Sequence, residues 1–209
     1  MKNLPLIFCG VFFTIAFSWT GLILTSQIQY GRLERATASE DETTLYPLQM
    51  SGAAIRGKDV YIAQGCLYCH TQQVRPRHQG GDIERGWGQR YTVARDYILQ
   101  ERVLLGTMRT GPDLADIGTR QKSDEWHYQH LFDPQLTSPG SVMPPFRFLF
   151  EQVPVGETVR MDAIKLPADY AFAPRPGFQW VPRQEASDLV QYLHSLRLNY
   201  NSPESRLEE

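Results

Sequence analysis

Cysteine is scarce in this chain of 209 residues: Cys9, Cys66 and Cys69 are all it has. Cys9 lies in a greasy N-terminal stretch, so only two cysteines are left for the water-facing part and no disulfide framework can be built. Basic charge is not concentrated anywhere. Lys plus Arg number 21 against 23 Asp plus Glu, a formal net charge of −2, and no run of five or more basic residues occurs. A nucleic-acid binder would carry such a run or a strongly positive balance. No internal repeat is visible along the chain.

Full charge is missing altogether from Asn3 to Gly31, which contains no Asp, Glu, Lys, Arg or His. Its centre, "LPLIFCGVFFTIAFSWTGLIL", is long and apolar enough to cross a bilayer as one helix, for which about 20 residues suffice. A cleaved signal peptide is the competing reading, since Ala36-Thr37-Ala38 resembles a cleavage site. The apolar run is longer than a signal peptide needs, and Arg32, Glu34 and Arg35 separate it from that site, so a retained anchor over residues 1–31 is expected. Lys2 and the amino terminus oppose Arg32 and Arg35, so charge alone does not orient it. Gly10, Thr14 and Ser18 fall four apart and make a stripe of small residues, of the kind that lets helices approach one another in lipid.

After the anchor, residues 32–50 are polar and mixed and suit a juxtamembrane linker. Residues 51–198 then carry the features of one globular domain, with 199–209 as a polar tail. A helix is expected over about 53–64, behind a Ser51 cap and before the stop signal Gly65. Residues 95–105 suit a short helix, and "SDEWHYQHLF" starts another behind Ser123. Seven of the 14 prolines lie between Pro144 and Pro182, so that stretch is expected to be mostly extended loop. The clearest helix runs from Arg183 to Leu198, where Ala186, Leu189, Val190, Tyr192, Leu193 and Leu196 form one apolar face.

The chemistry lies in Cys66-Leu67-Tyr68-Cys69-His70. A structural zinc site needs four soft ligands, and His78, His127, His130 and His194 are not spaced to supply the missing pair. A thioredoxin-like dithiol wants a strand before it and a helix after it; here the motif follows a helix. Covalent haem attachment uses every position. Two thiols with two residues between them can add across the two vinyl groups on one porphyrin side, while the adjacent histidine reaches the iron. One covalently bound haem c is the expected cofactor, with Cys66 and Cys69 as its anchors and His70 as an axial ligand. A turn at Gly111-Pro112-Asp113-Leu114 would offer the Pro112 carbonyl to the other nitrogen of His70 and fix the ring's orientation; a plain turn is the alternative.

An electron-transfer haem wants a sixth ligand, and a thioether favours ferrous iron and so raises the potential. Met50, Met108, Met143 and Met161 are available, with His127 and His130 as nitrogen rivals. Met143 stands in "PGSVMPPF", a Pro-rich loop free to cross the open haem face, and is preferred over Met108. His127 and His130, three apart on one helix face, suit a haem-propionate contact, a partner contact or simple packing. Arg75, Arg109 and Arg120 could pair with propionates, though each alone is an ordinary surface charge. Trp87, Trp126 and Trp180 read as core or interface aromatics.

Taken together, these features look like a c-type cytochrome domain, in which the first and last helices cross closely; Gly57 and Tyr61 match one helix of that crossing, Leu189 and Tyr192 the other. More narrowly, "GCLYCHTQQVRP", "ERGWGQRYTVARDY", "LLGTMRTGPDLADIGTRQKSDEWHYQHLFDP" and "SVMPPF" behind a single anchor resemble the mono-haem cytochrome c subunit (subunit II) of the cbb-type haem–copper oxidases. The resemblance covers roughly residues 55–150. It implies a mainly α fold, one N-terminal transmembrane helix followed by a haem-binding domain with long loops, with Cys66 and Cys69 bonded to haem c and His70 and Met143 on the iron. It also implies a site in the bacterial inner membrane, haem domain on the outer face, and electrons passing from a c-type cytochrome donor to the haem–copper subunit beside further cytochrome c subunits. Such a chain is an electron-transfer subunit of an oxidase rather than its catalytic centre.

Two features set it apart. "EQVPVGETVRMDAIKLPADYAFAPRPGFQW" falls outside the resemblance and has the character of an insertion that reshapes a partner surface. The cysteine pair of copper-carrying subunit II proteins is missing, so haem would be the sole redox centre. Beyond the uncharged stretch 20 basic side chains face 23 acidic ones, a mild negative balance that would attract a basic donor. The alternatives are the cytochrome c subunit of a nitric oxide reductase and a free-standing anchored electron carrier.

Overall fold

The chain is described by a computed structural model over residues 3–167 and 169–207. Lys2 of the charge comparison and the last two residues of the polar tail lie outside that range. Leu4–Tyr30 forms one continuous helix, α1, of 27 residues with mean hydropathy 2.0 and no burial against the rest of the chain. At 1.5 Å per residue it is longer than the roughly 30 Å of a bilayer's hydrocarbon core. It is therefore consistent with a membrane anchor. Its last third contains a π-turn at Thr20–Leu24, where the Thr25 hydroxyl donates back to the Thr20 carbonyl at 2.9 Å.

Two crossed helices make the centre of the water-facing part. Helix α2, Gly52–Ala63, starts where the Ser51 hydroxyl accepts the Ala54 N–H at 3.2 Å. Further along come a short helix α3, Ile117–Arg120, and α4, Asp124–Phe132, capped by Ser123. The last helix, α5, spans Gln184–Ser195 and packs along α2. All six residues of its expected apolar face are buried. The crossing requires a glycine: a Cβ on Gly57 would lie 1.9 Å from the Asp188 carbonyl oxygen on α5. Arg56 seals the contact from outside with two hydrogen bonds to the Asp188 carboxylate, at 2.7 and 2.8 Å. One turn on, the rings of Tyr61 and Tyr192 meet edge to face at 5.3 Å.

The Pro-rich region departs from the extended loop expected there. Phe150–Pro154 (β3) and Phe178–Pro182 (β4) pair antiparallel, with Phe150 opposite Pro182 and Gln152 opposite Trp180. The prolines that argued against a strand sit at the final position of each one, where a missing N–H costs least. Phe150 and Trp180 turn inward onto Phe132 of α4, at 5.4 and 5.1 Å between ring centres. Burial of aromatic surface outweighs the weak local strand signal. A second, two-residue ladder joins Ala36–Thr37 (β1) to Leu45–Tyr46 (β2) just after α1. The fold is thus helical with two small sheets, not helical alone. The helix expected over 95–105 shrinks to one 3₁₀ turn at Ala94–Tyr97, because the Asp96 carboxylate is drawn inward to Arg90.

The polar C-terminal segment packs down. Arg90, fully buried, donates from Nε to the Tyr200 carbonyl at 2.7 Å and pairs with Asp96 at 2.7 Å. The Tyr200 hydroxyl donates to the same carboxylate at 2.7 Å, and its ring stacks on Tyr46 at 4.3 Å. The segment just after α1 and the segment around Tyr200 therefore meet on one side of the domain.

Candidate haem site

α2 ends beside the motif, and Cys66–Tyr68 continues as a single 3₁₀ turn. The amides of Cys69 and His70 both donate to the Cys66 carbonyl, at 3.2 and 3.0 Å. One turn therefore presents both thiols and the imidazole. Cys66 is half-buried and Cys69 exposed, and both are free thiols. Burial pushes the Cys66 thiol up to about 11, so it stays protonated at neutral pH. A dithiol oxidoreductase needs the opposite, a thiol held below its ordinary value.

His70 is oriented by the strap that follows. Its Nδ1 lies 2.8 Å from the Pro112 carbonyl oxygen. A carbonyl can only accept, so Nδ1 carries the proton and Nε2 keeps its lone pair. Burial holds the imidazole below its ordinary value, which keeps it neutral. Segment 105–114 winds round the motif through four backbone bonds: Gln72 to Leu105, Thr107 to Leu67, Gly111 to Cys69 and Leu114 to Thr71, between 2.8 and 3.2 Å. Gly111 lies flat against the ring, where a Cβ would come within 2.2 Å of Cε1.

Asp113 fastens the strap, and sequence reasoning assigned it no role. Fully buried, its carboxylate accepts from Thr71 Oγ1 at 2.5 Å and from the Gln73 and Ala115 amides at 2.8 Å each. An acidic residue inside the expected turn, directly after Pro112, was the available signal.

Met143 is half-buried and packs against the core, whereas Met108 is largely exposed and Met161 fully so. Met50 lines a cleft with Tyr97 and Tyr200, in which none of Cys66, Cys69 and His70 takes part. The Met143 loop is tied at both ends. Gln135 bridges Gly140 N–H at 2.8 Å and the Ser141 carbonyl at 2.5 Å, and the Phe146 amide donates to Leu131 in the last turn of α4 at 2.8 Å. Burial first, then the neighbouring His70, lower His130, next to Leu131, to about 4. The loop carrying Met143 is thus anchored to the last turn of α4.

The other expected residues settle elsewhere. Arg75 and Arg109 converge on the fully buried Asp82, at 3.2 and 2.5 Å, and Arg109 stacks on Trp87. Arg120 donates to the Asp113 carbonyl. His127 is buried with Nε2 3.2 Å from the Gln121 carbonyl, and His130 stacks on Trp126 with Nδ1 2.5 Å from the Thr137 hydroxyl. Among the described residues no three His, Cys, Asp or Glu side chains cluster as a bare-metal site. The donors on the turn fit a haem: two thiols and a neutral imidazole with a free nitrogen.

No curated protein matches the chain. One family does, described as "Cytochrome C oxidase, mono-heme subunit/FixO", over residues 8–192. That span takes in the apolar helix, the motif, the strap, the Met143 loop and the β3–β4 segment that sequence reading had set apart.

Proposed function

We propose that this chain, which belongs to the family of cytochrome c oxidase mono-haem subunits (FixO), relays electrons one at a time through a covalently bound haem c to the oxygen-reducing subunit of a cbb-type complex. The observation that carries this reading is the His70 ring, neutral, oriented by Pro112 and delivered from the same turn as both cysteines. When bound, the haem supplies one-electron exchange between ferrous and ferric iron. Cys66 and Cys69 would hold it through thioether bonds, and His70 Nε2 and Met143 Sδ would serve as its iron ligands, the thioether favouring the ferrous state and so a higher potential. Pro112, through its hydrogen bond, keeps the imidazole in one tautomer and one orientation.

α1 anchors this domain in the bacterial inner membrane with the haem on the outer face, where covalent haem attachment takes place; its N-terminus then lies in the cytoplasm. A c-type cytochrome serves as donor, and the catalytic subunit with further cytochrome c subunits as neighbours.

The test is mild-detergent purification of the tagged chain from its native membrane, with reduced spectra recorded with and without carbon monoxide and with copper assayed. Haem c accompanied by haem b, copper and a species that binds carbon monoxide is the expected result. Non-haem iron in place of copper would assign the chain to a nitric oxide reductase. Haem c alone, unmoved by carbon monoxide, would leave a solitary carrier and overturn the oxidase reading. Within the haem-loaded chain, Met143→Ala lowers the potential while the haem stays attached; an unchanged potential would remove Met143 from the iron.

A further inference from the structure

The excursion between β3 and β4, residues 155–177, has no part in the reading so far, yet its contacts run back to the Met143 loop. The junction is the Asp133 carboxylate at the end of α4. One of its oxygens accepts the Gln135 amide at 3.1 Å, at the start of the segment leading to Met143. The other accepts Arg147 at 2.8 Å, four residues beyond Met143. Both flanks of the loop are therefore tied to one side chain. A third donor reaches the same oxygen from the excursion: the hydroxyl of Tyr170.

The excursion also holds Arg147. The guanidinium lies 3.7 Å from the centre of the Phe172 ring, close enough for a cation–π contact. Phe172 is secured in turn, since its carbonyl accepts Trp180 Nε1 at 2.9 Å. A second tie runs from Gln129 on α4 to the Lys165 carbonyl at 2.8 Å. Leu166 and Tyr170 pack on the core behind it. Burial works against the charge on Asp133, but the bonds from Tyr170, Gln135 and Arg147 outweigh it and hold the carboxyl below its ordinary range.

A thioether is a weak, neutral ligand, so its hold on ferric iron depends on how firmly the loop behind it is kept in place. We propose that the β3–β4 excursion is a buttress that keeps the Met143 loop closed over the haem iron, with Tyr170, Asp133 and Arg147 as its positioning residues. This rests on Met143 being the distal ligand.

The experiment uses the haem-loaded full-length chain in detergent. Imidazole is mixed with the ferric form, and loss of the methionine–iron charge-transfer absorption is timed. Imidazole enters only when Met143 leaves, so the rate reports loop opening. Tyr170→Phe removes one hydrogen bond to a charged group and is expected to speed entry about tenfold. Asp133→Asn is expected to speed it more, and the double variant no more than Asp133→Asn alone, because both changes act on one carboxylate. Arg147→Lys, which keeps the charge but loses the planar stacking, falls between parent and Asp133→Asn.

Parental entry rates in Tyr170→Phe and Arg147→Lys would overturn the buttress, even if thermal stability fell, since a merely structural role changes stability alone. Tyr170→Phe alters no shape and decides the matter even if Asp133→Asn does not fold. Met143→Ala separates the two claims. If that variant keeps the absorption, the ligand reading fails and the buttress with it. If the absorption is gone and Tyr170→Phe still admits imidazole at the parental rate, the buttress alone fails.

Discussion

Substituting Gly111 by alanine tests the proximal side of the site through a single methyl group. The added Cβ would lie 2.2 Å from His70 Cε1 and 2.7 Å from Nδ1. Restoring an ordinary 3.4 Å contact requires about 1.2 Å of separation. The ring cannot take up that shift and keep its 2.8 Å bond to Pro112, the residue next to the substitution. The strap cannot easily yield either, because Gly111 N–H is bonded to the Cys69 carbonyl at 2.9 Å and Asp113 is fixed by three close donors. Forcing a methyl into a packed contact costs about 1–3 kcal/mol, and losing the bond to Pro112 adds about 0.5–1.5 kcal/mol. A total of about 1.5 kcal/mol at the low end weights the oriented ring down by about twelvefold. On the proposed reading, haem attachment through Cys66 and Cys69 does not depend on the ring, so the variant is expected to retain its haem. The assay is the reduced spectrum and potential of the haem-loaded chain, with carbon monoxide as probe. A high-spin fraction that binds carbon monoxide and a shifted potential are expected. A low-spin spectrum with the parental potential would refute the view that the Gly111–Pro112 strap holds the proximal imidazole.

Two further outcomes follow from the packing. Gly57→Ala places a methyl 1.9 Å from the Asp188 carbonyl and must spread α2 from α5; the thermal midpoint should fall by about 5 °C or more, and an unmoved midpoint would mean the helices cross elsewhere. Burial lowers His127 from 6.5 to about 4, so between those values the unfolded chain binds the extra proton. Its contribution, up to about 3 kcal/mol, is complete above the unfolded value and is lost as pH falls toward 4. His130 and His70 are lowered too, so His127→Gln should remove part of the loss seen in denaturant titrations across that window; an identical pH slope in parent and variant would refute the assignment.

How much of the site was legible in the sequence depended on the range of the interactions. The Cys66–His70 turn is local, because both thiols and the imidazole are set by one pair of backbone bonds to Cys66. The face of α5 follows from a helical period, and all six of its residues are buried. Composition alone marked α1, since an uncharged run of that length has few other uses. Pro112 was legible because a proline turn in a recognisable motif has one obvious carbonyl to offer. The hairpin at 150–182 was not, because its prolines hide a pairing that burial of Phe150 and Trp180 against Phe132 makes worthwhile. The arginines near the motif read as ordinary surface charges or as propionate partners, while in the folded chain Arg75 and Arg109 meet the Asp82 carboxylate and Arg120 the Asp113 carbonyl.

By itself, then, the sequence determined the long apolar helix α1, the Cys66–His70 turn and the apolar face of α5, all of which are encoded by local composition or spacing. Tertiary structure alone decided which acidic residue each arginine near the motif meets, how Tyr200 is clamped between Arg90 and Tyr46, and that Tyr170 reaches Asp133 from 37 residues away. Those contacts join segments whose separation along the chain leaves no periodic trace. Only burial and charge pairing in the closed fold select them.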